Sequence, residues 1–306
     1  MVFDDAALEA TWRPENYSGK FYGPTRLREA LYRSRNLVSI RVLRTVGAPR
    51  AASYAERFGF VDAQLPKDLT LALGSASATP LQMARAYAVF ATGGYRVNPY
   101  FIARIHDAAG NVIESANPVV ACTDCPQVLE DLAGQPQALP LAEQVITPQN
   151  AWLMDPMMRD VIQRGTGQRA RALGRSDLAG KTGTTNDQKD AWFCGYNPSL
   201  VAVAWVGFDK LEPLGRGETG GRAALPMWMA YMGDALKGSP VKRRKQPEGM
   251  VTVRIDPKSG LLARSGQADG IFETFSADSV PTERAGGAGV EGDGAPGVDD
   301  GSGELF

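Results

Sequence analysis

One short segment constrains this chain more than any other: the Lys-Thr-Gly-Thr sequence at residues 181–184, which leads into two apolar segments. Strands are predicted there over residues 191–196 and 200–208. A lysine on a strand edge supplies positive charge, threonines supply hydroxyl groups, and Gly183 lets a ligand approach the backbone because it has no Cβ. Such an edge suits a carboxylate or an oxyanion. The alternative is an ordinary strand with a solvated lysine, because short motifs are common by chance.

A second polar motif, Ser34-x-Asn36, interrupts an apolar pattern of helical spacing near the beginning of the chain. The pattern contains Leu27 and Leu31 before the motif and continues from Leu37 to Val46 after it. We therefore expect a break between two helices, with both polar side chains pointing into one cleft. A serine there can relay a proton, and an asparagine can hold a substrate carbonyl. The alternative is a serine and an asparagine on a helix surface.

Composition excludes several classes of function. The formal net charge of −1 implies neither a nucleic acid nor an anionic membrane as partner. No apolar run approaches the roughly 18–20 residues of a membrane span. The first residues, Met1 to Asp5, lack the basic and apolar regions of a signal peptide. We expect either a cytosolic protein or a piece of a longer one.

Cysteine and histidine are scarce, which limits metal and catalytic chemistry. Cys122 and Cys125 form a CxxC, but zinc would need two further ligands, and Cys194 and His106 are the only candidates. We predict no metal site, and a local disulfide or a pair of free thiols for the CxxC. His106 lies in a strand-like run before a turn, which predicts an exposed strand residue. A Ser-His-Asp mechanism is therefore disfavoured, and a lysine base is the substitute.

Two helices have clear start signals. Thr79 and Gln82 form a capping box around a proline at the first helical position. Thr147 and the proline after it open a second helix. Pro156 lies inside that second pattern, and we expect it to kink or split the helix.

The pattern along the chain predicts three regions. Residues 1–240 form the main domain, with an insertion at 95–146. Residues 241–275 form a basic surface linker and a small β extension. Residues 276–306 are rich in glycine, alanine and aspartate, which predicts a disordered tail.

The order of Ser34-x-Asn36 and then residues 181–184 resembles the second and third active-site motifs of penicillin-binding proteins and serine β-lactamases. The segment 178–208 is similar to the transpeptidase core of bifunctional class A penicillin-binding proteins. The CxxC insertion and the segment beginning at Met250 resemble the 1A-type members of that class in Gram-negative bacteria. The similarity extends over most of residues 12–265.

This resemblance implies an α/β (α+β) transpeptidase fold, an antiparallel sheet flanked by helices, incomplete at its N-terminus. The Lys-Thr-Gly motif would lie on an edge strand that faces Ser34-x-Asn36. The family's first motif, Ser-x-x-Lys, supplies the acylated nucleophile, but no such motif precedes Ser34. The one match in the chain begins at Ser239 and ends at Lys242, in the basic linker. We therefore expect no nucleophile in this chain.

The resemblance also implies roles for the site residues in a serine acyl-enzyme reaction on the D-Ala-D-Ala end of a peptidoglycan stem peptide. Ser34 would pass a proton to the leaving amine, Asn36 would bind the substrate amide, and Lys181 would set the electrostatics. The substrate carboxylate would bind to the strand beyond the lysine, at Thr182, Gly183 and Thr184.

The implied partners are stem peptides and β-lactams, with no cofactor, at the periplasmic face of the inner membrane in the intact family. This chain has no signal or membrane segment in its sequence pattern. Without the nucleophile we expect the chain alone to be inactive. Two alternatives remain: a non-catalytic peptide-binding remnant, and a β-lactamase-like hydrolase.

Overall fold

A computed structural model describes residues 12–121, 128–130, 136–138 and 140–286 of the chain. These residues form two compact units. The first comprises the residues up to Tyr22 together with Leu27–Lys245. The second comprises Gly23–Arg26 and the residues from Gln246 onward. Cys122 and Cys125 lie outside the described residues, and so does the state predicted for them.

Six α-helices and eleven short strands occur in the described part of the chain. The helices are α1 Leu27–Tyr32, α2 Asn36–Val46, α3 Ala48–Glu56, α4 Pro80–Thr92, α5 Pro148–Arg164 and α6 Leu225–Ala235. The strands are β1 Tyr95–Arg96, β2 Arg104–His106, β3 Val112–Ser115, β4 Val128–Glu130, β5 Pro136–Ala138, β6 Glu143–Gln144, β7 Ala179–Thr184, β8 Asp190–Asn197, β9 Leu200–Gly207, β10 Met250–Ile255 and β11 Ile271–Ser276.

The centre of the first unit is a three-stranded antiparallel sheet in the order β7-β8-β9. Its register places Lys181 opposite Cys194 and Thr182 opposite Phe193. Because successive side chains in a strand point to opposite faces, Lys181 and Thr182 leave the sheet on different sides. β7 is an edge strand of this sheet, so both side chains also border the same open edge.

The two faces of the sheet pack against different helices. The Phe193 face packs on α6, where the ring centroids of Phe193 and Trp228 are 4.8 Å apart. A Cβ at Gly195 would lie 2.6 Å from the Trp228 ring, so glycine is needed for this contact. The other face, which carries Tyr196, packs against α4 and α5 with Met158 in the contact. The helices on both faces hold β7 in place.

Both predicted helix starts are confirmed. Thr79 and Gln82 form a reciprocal capping box at α4, and the Thr147 side chain accepts a hydrogen bond from the Asn150 N–H at the start of α5. Of the two outcomes predicted for Pro156, a kink or a split, the split does not occur, because α5 is one helix with this proline inside it. Packing of α5 on α1 and β7 outweighs the loss of one backbone donor.

The second unit contains a hairpin in which β10 pairs with β11 over six residue pairs. β11 includes Ser276, and the Ala285 N–H donates to the Leu262 carbonyl. The predicted disordered tail therefore begins too early, because composition does not reveal such backbone pairing. Residues 287–306 of that tail lie outside the described part of the chain.

The basic segment that follows α6 is mostly exposed, but it is tied to the first unit at two points. Lys242 donates its backbone N–H to Asp177 Oδ2 at 3.0 Å. Arg244 is half-buried, and its Nη1 lies where a Cβ on Gly93 would approach to 2.9 Å. A buried carboxylate therefore anchors a segment whose composition is typical of a surface.

Candidate active site

Two residues 147 positions apart in sequence form the centre of the candidate site: Lys181 Nζ donates a hydrogen bond to Ser34 Oγ at 2.9 Å. Ser34 lies in the turn between α1 and α2 with φ of 54°, in the left-handed region. Its N–H donates to the Leu31 carbonyl, which holds the turn closed. The predicted break between helices therefore exists, and it directs the serine towards β7.

The surroundings of Lys181 change the pKa of its ammonium group. Burial lowers the pKa of its ammonium group from 10.5 to about 8, and the facing Cys194 partly opposes this shift. Burial also raises the pKa of the Cys194 thiol to about 12, so the thiol is neutral at physiological pH. Lys181 Nζ donates in addition to the Thr182 carbonyl at 2.8 Å. The lysine is thus oriented by two neutral oxygens rather than by a carboxylate.

The threonines of β7 are held by residues from other segments. Thr182 Oγ1 lies 2.6 Å from Thr166 Oγ1, just beyond the end of α5. Thr184 Oγ1 accepts a hydrogen bond from the Gly220 N–H at 3.0 Å. The sequence does not predict Thr166 or Gly220 as site residues, because both are distant from residues 181–184 in the chain.

Gly220 is also packed directly on the motif strand. A Cβ at this position would lie 2.4 Å from the Gly183 carbonyl oxygen and 2.2 Å from that of Trp192. These are backbone atoms of a paired sheet, so they cannot move aside without disturbing the strand pairing. Glycine-rich loops next to a binding motif are the signal that could have indicated this contact.

Asn36 is placed differently from the expectation. It is the first residue of α2, and its side-chain Nδ2 donates to the Glu15 carbonyl at 2.8 Å. Among the described residues the structure shows no hydrogen bond between Asn36 and β7. The structure thus brings Ser34 to Lys181, and it uses one Asn36 N–H to hold the preceding segment.

The Ser-x-x-Lys match in the chain lies at another part of the first unit. The Ser239 carbonyl accepts from Arg175 at 2.8 Å, and the Lys242 backbone binds Asp177. Both partners precede β7, and the described residues show no contact of Ser239 with Lys181. This match therefore does not supply the nucleophile at the candidate site.

Three further observations concern other expected features. His106 lies in β2 and is exposed, as predicted, and its Nδ1 lies 3.1 Å from the Gly110 carbonyl. No group of three or more metal-ligating side chains occurs among the described residues. Within the same residues, no helix has the length and apolar character needed to cross a membrane.

Comparison with known proteins gives a consistent result. The family model described as "Penicillin binding protein transpeptidase domain" matches residues 3–210. Penicillin-binding protein 1A of Pseudomonas aeruginosa is 46% identical over 310 aligned residues, which cover 92% of this chain and 38% of that protein. This chain therefore spans well under half the length of that curated relative.

Solved structures agree with the sequence comparison. The crystal structure of penicillin-binding protein 1A from Haemophilus influenzae matches with a TM-score of 0.84 at 36% identity, over 93% of this chain and 44% of that one. The PonA1 protein of Mycobacterium tuberculosis in complex with penicillin V matches with a TM-score of 0.60 at 27% identity, over 76% of this chain and 62% of that one. The predicted fold class is confirmed. Because the family model matches more than half of its residues, the chain belongs to the penicillin-binding protein transpeptidase domain family.

Proposed function

We propose that this chain carries part of the active site of a D,D-transpeptidase that cross-links peptidoglycan through a serine acyl-enzyme. This part, called the binding wall below, consists of Ser34, Asn36 and residues 181–184. The observation that carries this proposal is the 2.9 Å hydrogen bond from Lys181 Nζ to Ser34 Oγ. It joins a lysine of lowered pKa to a hydroxyl group beside an open strand edge. A linked lysine and serine can move a proton without a histidine, and the single His106 is exposed elsewhere in the unit.

Ser34 is proposed to deliver the proton to the leaving amine. A Lys181 pKa of about 8 leaves an appreciable neutral fraction near neutral pH, so the pair can both give and accept a proton. The bond from Lys181 to the Thr182 carbonyl fixes the ammonium group while the serine hydroxyl rotates. Asn36 is proposed to use its second N–H for the substrate amide, since one N–H already binds Glu15.

The far end of β7 is proposed to bind the carboxylate of D-Ala-D-Ala. Thr182 and Thr184 present hydroxyl groups at the strand, and the Lys181 charge lies one residue away. Gly183 leaves the strand backbone open to a peptide that lies along it. The Thr184 N–H is proposed as one of two oxyanion donors, a contribution of roughly 2.7–4 kcal/mol to the transition state.

The covalent step is proposed to need a serine from a Ser-x-x-Lys motif that these 306 residues do not place at β7. The PonA1 relative was solved in complex with penicillin V, which supports β-lactams as ligands of the intact site. We therefore propose that the 306-residue polypeptide by itself forms no acyl-enzyme. We also propose action at the periplasmic face of the inner membrane, without a cofactor.

Gel labelling with a fluorescent penicillin tests the covalent step. The expected result for the 306-residue chain is no covalent band, whereas a band on this chain would refute the proposed lack of acylation. Hydrolysis of a chromogenic cephalosporin in the same sample would instead support a β-lactamase-like enzyme.

Calorimetry with a peptide ending in D-Ala-D-Ala tests the binding wall separately. We expect weak binding that is lost in Lys181→Met and absent for the matched peptide ending in L-Ala-L-Ala. The Arg216→Gln variant, which changes an exposed charge, serves as the control. Absence of any heat with the D-Ala-D-Ala peptide would count against the wall as a peptide site.

A further inference from the structure

One buried polar side chain in the segment before α1 has no part in the proposed reaction. Asn16 is 8% exposed. Its Nδ2 donates to the Lys20 carbonyl at 2.8 Å, and its own carbonyl accepts from the Gly19 N–H at 2.7 Å. Trp12, earlier in the same segment, packs against the buried cluster that contains Leu37. The segment therefore forms a compact turn that is attached to the core beneath α2.

The remaining polar atom of the Asn16 side chain binds the start of α2. Its Oδ1 accepts a hydrogen bond from the Leu37 N–H at 3.3 Å. Leu37 is the second residue of α2, and the first N–H groups of a helix have no acceptor within that helix. Arg35, which precedes the helix, makes no side-chain cap. Asn16 therefore caps α2 from a segment that lies 21 residues earlier in the chain.

The residue before Asn16 binds the asparagine of the Ser34-x-Asn36 motif. The Glu15 carbonyl accepts from Asn36 Nδ2 at 2.8 Å. Two adjacent residues of one segment thus bind two adjacent residues of the other. The Asn16 bond is buried, whereas the Glu15 bond lies at an exposed position. Because water competes less for a buried hydrogen bond, the Asn16 bond is the firmer of the two.

The residue between Ser34 and Asn36 is held by the same segment. The Arg35 guanidinium lies over the Tyr22 ring, with its Cζ 3.2 Å from the ring centroid. The Tyr22 hydroxyl in turn lies 2.8 Å from Ser18 Oγ. Contacts from residues 12–22 therefore reach every position from Arg35 to Leu37, and not only the helix cap.

We propose that Asn16 is a positioning residue for the candidate site. By fixing the start of α2 and the Glu15 carbonyl beside it, Asn16 orients the Asn36 amide. This orientation commits one Asn36 N–H to Glu15 and leaves the other N–H and the Oδ1 for a peptide. The consequence for peptide binding rests on the function proposed above. Asn16 itself contacts no substrate.

Solution NMR of the side-chain amides in the 306-residue protein tests the positioning without any ligand. Asn36→Asp identifies the Asn36 signals by their loss. Asn16→Leu removes the Oδ1 acceptor at similar volume, so the Asn36 signals should shift or broaden. Asn16→Asp keeps an acceptor for the Leu37 N–H and should restore them. Unchanged Asn36 signals in folded Asn16→Leu would overturn the proposal, and so would an equal shift in Asn16→Asp.

Calorimetry with a peptide ending in D-Ala-D-Ala measures the consequence for binding. Asn16→Leu should weaken binding about fivefold, the value of roughly one net hydrogen bond. In an Asn36→Ala background the same substitution should have no additional effect, because Asn16 acts through Asn36. Fully additive effects of the two substitutions would contradict that route, and an unchanged affinity in Asn16→Leu would refute the role in binding.

The matched control is Asn150→Leu, which replaces an exposed asparagine in the first turn of α5. It should bind the peptide as the parent protein does. A purely structural role of Asn16 predicts a different pattern, in which Asn16→Leu lowers Tm but leaves both the peptide affinity and the Asn36 signals unchanged.

These measurements separate the inference from the proposed function. A parent protein that gives no heat with the peptide contradicts the binding wall, whereas NMR still decides whether Asn16 orients Asn36. If Asn16→Leu does not fold, Asn36→Ala replaces it, since Asn36 is less buried than Asn16. The contact is reciprocal, so Asn36→Ala should shift the Asn16 amide signals, which Asn16→Asp identifies. Asn16 signals that do not move would then overturn the proposal.

Discussion

The two faces of the central sheet have different roles, although the same three strands form both. On one face, Phe193 packs against Trp228 in a fully apolar core. On the other, Lys181 lies opposite the buried Cys194, and burial lowers the pKa of the lysine. Both faces bury apolar surface, around Trp228 on the first and Tyr196 on the second, but only the second also holds a reactive lysine.

The difference shows how one edge strand can be both rigid and chemically active. Helix α6 packs on β8 and β9 at the apolar face, whereas α5 packs on β7 at the face that carries Lys181. The site side chains then bind neutral groups of modest strength: the Ser34 and Thr166 hydroxyls and the Gly220 N–H. Such groups leave the lysine and the threonines able to exchange their partners for those of a substrate.

The sharpest test of this comparison removes one tryptophan from each face. Trp228→Ala should lower the free energy of unfolding by about 3–5 kcal/mol, because its buried ring leaves a cavity. Trp205 lies on the Lys181 face, is 37% exposed and contacts Trp192 with ring centroids 6.0 Å apart. Trp205→Ala should cost about 1 kcal/mol. Urea unfolding measures both, and equal losses would show that the faces do not differ as described.

Gly220→Ala tests whether the loop holds the motif strand. The added Cβ would meet backbone oxygens of Gly183 and Trp192 at 2.4 and 2.2 Å, so we expect a loss of about 1–3 kcal/mol. Binding of a D-Ala-D-Ala peptide should weaken as β7 shifts.

Gly233→Ala is the matched control for this substitution. It lies in α6, and its added Cβ would meet only the Leu173 side chain, at 3.2 Å. Helix propensity favours alanine by about 1 kcal/mol, so this variant should be neutral or slightly more stable. If both variants lose the same stability, crowding of β7 is not the cause.

How much of this arrangement could be predicted from the sequence depends on how far apart the contacting residues lie in the chain. The strands β7 to β9 and the caps of α4 and α5 follow from local patterns, and they are confirmed. The Thr166 to Thr182 and Gly220 to Thr184 contacts span 16 and 36 residues and depend on tertiary packing. The glycine-rich composition around Gly220 is a hint of one contact, but no local signal in the sequence specifies Thr166 as a partner.

Composition predicts the exposure of the basic segment after α6, but it does not predict how the segment is anchored. Four consecutive cations are typical of a solvated surface, yet here a backbone N–H from this segment satisfies the buried Asp177. Arg244, two residues beyond this contact, is half-buried. A buried carboxylate with a distant partner is not visible in the sequence.

Lys181→Met tests the cost of the reactive face. The folded-state pKa of about 8 lies below 10.5, so between these values the unfolded chain binds more protons and stability rises with pH. The variant should be more stable by about 1 kcal/mol below pH 8, a reduced figure because the lysine is only half-buried. The gain should disappear by about pH 10.5.

Urea unfolding of both proteins from pH 7 to pH 10.5 measures this dependence. Lys189→Met, which removes a lysine outside the candidate site, is the control and should show no such profile. A Lys181→Met variant that is less stable at pH 7 would indicate that the Ser34 hydrogen bond outweighs burial of the charge.

The smallest expected effect concerns the hydroxyl pair that orients Thr182. Thr166→Val and Thr182→Val each remove one side of a 2.6 Å contact at an exposed position. Their double-mutant cycle should give a coupling of about 0.5 kcal/mol. A coupling near zero would mean that β7 alone positions Thr182, without help from the Thr166 hydroxyl.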